Sequence, residues 1–354
     1  MNGDANIDIR SLSLADIEQF FIENGEKPFR ARQVYEWLWK KACRSFGEMT
    51  NLSRESRQLM EERFIFPVLT VEKEITSADE TIKSLFRLTD GLSIEGVLIP
   101  EANRTTACIS SQVGCPLGCT FCATGFLGFK RNLGFTEIID QVTETNRQSM
   151  KYFQMPLSNI VFMGMGEPLL NYEEVKKSIE KITSADGMAM SPQRITVSSV
   201  GVPSMIRRLA DENIRFHFAL SLHVADNAKR SKIIPLNKKY PVEELIESLK
   251  YFHVRTKKRV TIEYLLFNGF NDNIEDASDL ARFCRNFPVK INLIDYNPVN
   301  GSVYKKSEPA KLNAFKEFLE KRNLVVNIRK SRGADINAAC GQLAAKQGNH
   351  FDSL

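Results

Sequence analysis

The sequence predicts an α/β protein whose main body is a full or partial barrel of parallel strands wrapped by helices. An open doubly wound sheet is the alternative. Three observations carry this. Residues 11–66 read as helical. Residues 68–100 alternate apolar and polar side chains with a period of two. From residue 105 onward, short β-rich runs alternate with helix-length amphipathic stretches.

The elements follow in order. Ser13-Leu14-Ala15-Asp16 opens a helix through 22, and Asn24-Gly25 turns the chain. Pro28 sits near the start of a second helix that holds Val34, Trp37 and Leu38 on one face, and a third covers about 53–65 before Pro67. LTVEKEI, TIKSLFRL and SIEGVLI read as strands, with Asp90-Gly91 favouring a hairpin; Ile94 and Glu95 project to opposite faces. Beyond 105 the predicted strands are 105–110, 159–163, 194–199, 215–221, 259–267, 289–294 and 324–329. The predicted helices are 136–149, 172–184, 203–211, 241–253, 275–286 and 309–322. Such alternation implies right-handed crossovers around a mainly parallel sheet, which places chemistry at the C-terminal strand ends.

Charge and composition exclude several classes. No run approaches the roughly 20 apolar residues of a membrane helix; VFMGMGEPLL is short and carries Glu167. The opening MNGDANIDIR is polar and acidic, so a secretory signal is not expected and a cytoplasmic location is. Net charge is only +5, so its placement matters more than its size. Basic clusters lie at 27–44 (Lys27, Arg30, Arg32, Lys40, Lys41, Arg44), at 250–259 (Lys250, Arg255, Lys257, Lys258, Arg259) and at 321–332 (Lys321, Arg322, Arg329, Lys330, Arg332). Each reads either as a solvated face or as a phosphate-backbone contact.

The chain has seven cysteines, and four lie within fifteen residues of one another: Cys108, Cys115, Cys119 and Cys122. An odd count in a long chain argues against a disulfide scaffold, and the clustering argues for a metal site or redox chemistry. Cys115, Cys119 and Cys122 have C-x₃-C-x₂-C spacing in a glycine-rich loop after a strand. A structural zinc site would want four Cys or His ligands, usually from C-x₂-C pairs. Three thiolates instead leave one iron of a [4Fe–4S] cluster open to a ligand. By arithmetic alone Cys108 is available as a fourth ligand. The motif, with Phe121 before the last cysteine, resembles that of the radical S-adenosylmethionine superfamily, whose open iron holds the methionyl amine and carboxylate.

Further polar groups stand at predicted strand ends. Gly164-Met165-Gly166-Glu167-Pro168 follows strand 159–163 and resembles the superfamily's methionine-binding motif. Without that context it reads as an ordinary strand-to-helix turn. Ser198, Ser221-Leu222-His223 and Asn297 are candidates for ribose, carboxylate and adenine contacts. His223 reads equally as a buried structural histidine. Cys43 and Cys284 read as buried free thiols. Cys340 lies in a small-residue loop after the last strand and is expected at the same mouth as the cluster.

At this point VGCPLGCTFCATGFLGFKRNL, FMGMGEPLLN, SLH, IPLNKKYPVEEL, INLIDYNP and IRKSRGADINAACGQL together resemble the RlmN/Cfr family of RNA adenosine methyltransferases, over roughly residues 12–345. The resemblance implies a radical S-adenosylmethionine partial (β/α)6 barrel at 105–345 that includes the Cys340 loop. It also implies a helical RNA-binding accessory domain at 1–67 and a hairpin extension at 68–104, with a flexible tail at 346–354. It implies two molecules of S-adenosylmethionine per methylation and a [4Fe–4S] cluster on Cys115, Cys119 and Cys122. Cofactor contacts fall to Gly166, Glu167, Ser198, Ser221, Leu222, His223 and Asn297. Cys340 matches the methyl-carrying cysteine, Cys108 the cysteine that forms a disulfide with it to release product, and Glu95 the residue proposed to take the ring proton. On sequence alone Glu95 is a surface strand carboxylate. The implied substrates are an adenosine of 23S rRNA and one beside the tRNA anticodon, with flavodoxin or ferredoxin as reductant and the enzyme a monomer. Gly166-Glu167-Pro168-Leu169-Leu170-Asn171 and Val113 favour the RlmN branch (adenine C2) over the Cfr branch (adenine C8).

Overall fold

The computed structural model describes residues 7–344; the tail expected at 346–354 lies outside the described residues. The first module begins with β1 (Ile7–Asp8), followed by α1 (Leu14–Glu23), α2 (Phe29–Trp39) and α3 (Arg54–Arg63), and closes with β2 (Phe64–Ile65). Ser13 caps α1: its Oγ accepts the Asp16 N–H at 3.2 Å, and the Asp16 carboxylate accepts the Ser13 N–H at 2.8 Å. The helices bury Ile17, Phe21, Ala31, Val34, Leu38 and Met60. β1 pairs in parallel with β2 and so staples the two ends of the module. Arg10 fastens the module to the body, donating to Asp8, to the Pro67 carbonyl and to Asp140 at 2.5 Å.

The body is one ten-stranded sheet. β3 (Thr70–Thr76), β4 (Ile82–Arg87) and β5 (Ser93–Glu101) form an antiparallel meander. β6 (Arg104–Cys108) is antiparallel to β5 but parallel to its other neighbour. A small frame follows, β7 (Gln112–Gly114), α4 (Ala123–Phe126) and β8 (Phe129–Asn132). The alternating series is α5 (Phe135–Phe153), β9 (Asn159–Phe162), α6 (Tyr172–Thr183), β10 (Ile195–Ser199), α7 (Pro203–Asp211) and β11 (His217–Ser221). It continues through α8 (Asn227–Ile233), α9 (Val242–Thr256), β12 (Val260–Leu266), α10 (Ile274–Cys284), β13 (Val289–Asp295), α11 (Pro309–Glu320) and β14 (Val326–Arg329). Strands β6, β9, β10, β11, β12, β13 and β14 pair in parallel in chain order. This is the alternating architecture read from the sequence, six strand–helix units and a closing strand, with edges that do not pair.

The stretch at 68–104 is continuous with this sheet, because β5 carries the pairing into β6. The chain after β14 bridges the gap between the edges. Arg332 donates to the Pro100 carbonyl at 2.9 Å, and the Gly333 N–H to Asp79 Oδ2 at 3.0 Å. The β7–β8 frame and α8 were not expected, since both are short and their apolar spacing is interrupted. Among the described residues no helix is long and apolar enough to cross a membrane.

Candidate active site

Three cysteines converge at the mouth of the sheet because the β7–β8 frame folds their loop back over the strand ends. Cys115 leaves β7, and its N–H donates to the Gly128 carbonyl at 3.0 Å; the Cys122 N–H donates to the Cys119 carbonyl at 3.2 Å. Burial pushes the Cys115 thiol up to about 12, and pushes Cys119 and Cys122 up as well. A thiolate in such a place needs a cationic partner, which a metal cluster supplies. Among the described residues no three Cys, His, Asp or Glu side chains are placed to hold a single metal ion. Cys115, Cys119 and Cys122 line one pocket, a donor set that gives one thiolate to each of three irons and leaves a fourth open. The residues present therefore fit a three-thiolate [4Fe–4S] cluster.

Phe121 packs edge-on against His223, with ring centroids 5.0 Å apart, and tilts against Phe267 at 5.6 Å. Behind the loop lies Arg230, fully buried, donating to the carbonyls of Leu222 at 3.1 Å and Val200 at 2.6 Å. Burial lowers it to about 10, opposed by the pull of Cys119. Sequence reading missed Arg230, because a basic side chain on a short helix looks like surface until its neighbours are known.

The strand-end groups form a polar floor. Gly166 has φ +98°, and a Cβ there would stand 2.5 Å from Gln112 Cβ, so only glycine lets the backbone pass. Glu167 is buried; its Oε2 accepts the Val200 N–H at 3.0 Å and its Oε1 the Leu169 N–H at 3.1 Å. Burial nevertheless holds its carboxyl above the usual range. Ser198 and Ser221 share a hydrogen bond of 2.9 Å between hydroxyls. His223 is a buried, bonded ring that also stands at the pocket; its Nδ1 accepts the Leu265 N–H at 3.1 Å. Burial, with help from Arg230, drops it to about 3.

Two expected cofactor residues stand back from the walls. The Leu222 side chain is fully buried in the apolar core. The Asn297 amide donates to Ser331 Oγ at 2.8 Å and reaches the chamber only through that serine.

Two cavities meet here. A pocket of about 150 Å³ lies among Cys115, Cys119, Cys122, Gly166, Glu167, Ser198, Ser221 and His223. A chamber of about 1110 Å³ runs down the sheet interior past Cys108. Cys340, Met163, Glu263 and Arg329 line both. The Cys340 loop is tied to the cluster loop, since the Ala123 N–H donates to the Gly341 carbonyl at 2.7 Å and Thr124 Oγ1 to the Leu343 carbonyl at 2.7 Å.

Cys108 and Cys340 are both free thiols. Burial, then the proximity of Cys340, pushes Cys108 up to about 12, and Arg329 counters. Arg329 is itself raised, first by Cys340. Cys43 and Cys284 are buried away from this site.

Glu95 corrects the surface reading, for it is 1% exposed. β5 is covered on both faces, so alternation does not expose its polar residue. Its Oε2 accepts the Ala344 N–H at 2.7 Å, and its Oε1 lies 3.5 Å from Lys83 Nζ. Burial raises its pKa against the pull of Lys83. Sequence reading also missed Glu263, although a lone carboxylate inside the apolar strand VTIEYLL is a legible signal.

A partial barrel with a three-thiol loop at its C-terminal strand ends defines a radical S-adenosylmethionine enzyme, and residues 109–283 match the radical SAM superfamily. Residues 7–65 match the ribosomal RNA large subunit methyltransferase N-terminal domain. A probable dual-specificity RNA methyltransferase RlmN of Christiangramia forsetii is 49% identical over 97% of both chains. A dual-specificity RNA methyltransferase RlmN of Anaeromyxobacter sp. is 44% identical, over 96% of this chain and 91% of its own. The crystal structure of a radical SAM methyltransferase from Sphaerobacter thermophilus superposes with a TM-score of 0.91 at 39% identity, covering 96% of this chain and 100% of that one. The chain belongs to the RlmN family of radical S-adenosylmethionine methyltransferases.

Proposed function

We propose that this enzyme methylates adenine C2 of an adenosine in 23S rRNA and of the adenosine beside the tRNA anticodon, with Cys340 as methyl carrier. The observation that supports it is the position of Cys340, on the wall shared by the cluster pocket and the chamber of Cys108. Adenine C2 is not nucleophilic, so the base cannot attack a sulfonium methyl directly. When bound, the cluster and S-adenosylmethionine supply the radical chemistry that this carbon requires.

The chain's own residues do the rest. Cys115, Cys119 and Cys122 hold the cluster, and the floor from Gly166 and Glu167 to Ser198, Ser221 and His223 takes the cofactor, with Leu222 and Asn297 shaping it from behind. Cys340 takes a methyl group on sulfur and carries its carbon to the base, with the Arg329 guanidinium on the same wall. Glu95 takes the ring proton, and for that it must exchange the Ala344 N–H for substrate. Cys108, as thiolate, then attacks the Cys340 sulfur: the S–S bond forms, the bond from that sulfur to the transferred carbon breaks, and the carbon keeps the electron pair and takes a proton to leave as the methyl group of the base.

The helical module at 1–67 presents Lys27 and Arg32, both exposed, to phosphates, and the target base leaves its stack to enter the chamber. We assign the enzyme to the cytoplasm as a monomer reduced by flavodoxin or ferredoxin. Anaerobic reaction with unmodified 23S rRNA, followed by nucleoside chromatography, tests the reading. 2-Methyladenosine that disappears in Cys340→Ala supports it; 8-methyladenosine, or product independent of Cys340, overturns it.

A further inference from the structure

Glu263 sits in β12, on the wall common to the pocket and the chamber. It is 4% exposed. Its Oε1 accepts a hydrogen bond from Asn292 Nδ2 at 2.9 Å, and Asn292 Oδ1 in turn accepts one from Asn327 Nδ2 at 3.4 Å. These three residues are register partners across β12, β13 and β14. The ladder fixes the carboxylate in one orientation. Its Oε2 is buried and has no hydrogen-bond partner among the described residues.

A buried carboxylate oxygen left unpaired is a cost that an apolar side chain would avoid. The fold therefore holds an oriented acceptor without a hydrogen bond on the wall of the cavities. Its register partner on the other side is Ser221, part of the polar floor, and Cys340 lines the same two cavities. A matching ligand carries O–H or N–H donors and spans from the floor to Cys340. An adenosine group does so, through its ribose hydroxyls or exocyclic amine, and both S-adenosylmethionine and the target nucleotide carry one.

We propose that Glu263 is a ligand-anchoring residue whose free Oε2 accepts a hydrogen bond from an adenosine group lodged between Ser221 and Cys340. This rests on the reading of the site as one that handles adenosines. In the unliganded fold this oxygen makes no hydrogen bond and the carboxylate acts through its charge on Arg329, so replacing it is expected to weaken a ligand far more than it lowers stability.

The test uses Glu263→Gln in the full chain with its cluster reconstituted anaerobically. The amide oxygen keeps the Asn292 bond, while an NH₂ faces the ligand's donors. Three quantities are read: melting temperature without ligand, equilibrium affinity for S-adenosylmethionine, and KM and kcat with a 23S rRNA fragment. A cooperative melt that shows the fold retained, with cofactor affinity down at least tenfold, supports the proposal and names the cofactor as the source. Unchanged cofactor affinity with RNA KM up at least tenfold supports it and names the target nucleotide. Parent-like values for both ligands overturn it, whatever the melting temperature. Glu263→Asp, which withdraws the carboxylate by one methylene, is expected to weaken the same ligand, and where the Gln variant misfolds, full affinity for both ligands in Glu263→Asp rejects the assignment. Failure of the parent to bind S-adenosylmethionine or to methylate RNA counts against the function and not against Glu263.

Discussion

Gly166→Ala isolates the close backbone approach that sets Glu167. Gly166 has φ +98°, and an added Cβ would stand 2.5 Å from Gln112 Cβ, 2.7 Å from its Cγ and 2.8 Å from its backbone nitrogen. A left-handed backbone costs a side chain roughly 1–2 kcal/mol. Forcing a carbon into a packed site adds about 1–3 kcal/mol, for a total of about 2–5. Unfolding entropy is roughly 2.1 cal/mol/K per residue, so for this chain 1 kcal/mol is worth about 1.3 °C and the expected loss is about 3–7 °C. Gly91→Ala is the control, with φ +81° and nothing within 4 Å of its Cβ; only the backbone cost applies, about 1–3 °C. The two also differ in function. Gln112 Oε1 accepts the Glu167 N–H at 2.9 Å, so displacing Gln112 moves Glu167 and is expected to weaken S-adenosylmethionine binding at least tenfold. Differential scanning of both variants, with cofactor titration of the reconstituted proteins, checks this. A Gly166→Ala protein that melts and binds like Gly91→Ala would refute the reasoning.

Cys108→Ala is expected to load methyl on Cys340 and then accumulate a protein–RNA crosslink, seen by mass spectrometry; full turnover would end the resolving role. Cys340→Ala is expected to abolish methyl transfer to RNA while the cluster's absorption persists, and retained transfer would count against the carrier. His223 is buried neutral, its pKa depressed to about 3 from the ordinary 6.5. Between those values the unfolded chain binds a proton that the folded one refuses, so stability falls as pH drops below 6.5. From pH 7 to 5 the loss is about 2 kcal/mol. His223→Asn, which suits the residue's φ of +57°, should remove that slope in urea melts at the two pH values. RNA affinity should fall with salt, and Lys27→Ala or Arg32→Ala should each flatten the log–log slope by about one; a slope the variants leave unchanged would remove those phosphate contacts.

Local periodicity and spacing determined much of this protein before any coordinates. Alternation from 105 onward was enough to place β6, β9 to β14 and the long helices between them, because a strand or a helix announces its own repeat, whereas the short β7–β8 frame and α8 announce none. The C-x₃-C-x₂-C spacing named the thiol loop for the same reason, since three ligands close in sequence need no distant partner. The tertiary structure alone decided what distant residues do to one another. It buried Glu95 and tied it to the Ala344 amide, 249 residues away in sequence. It sank Arg230 behind the cluster loop, turned Leu222 into the core, and set Asn297 behind Ser331. It also buried one oxygen of Glu263 without a hydrogen bond in a residue that lines both cavities. Burial and electrostatic coupling depend on which strands become neighbours, and sheet order across ten strands is a property of the whole chain rather than of any segment.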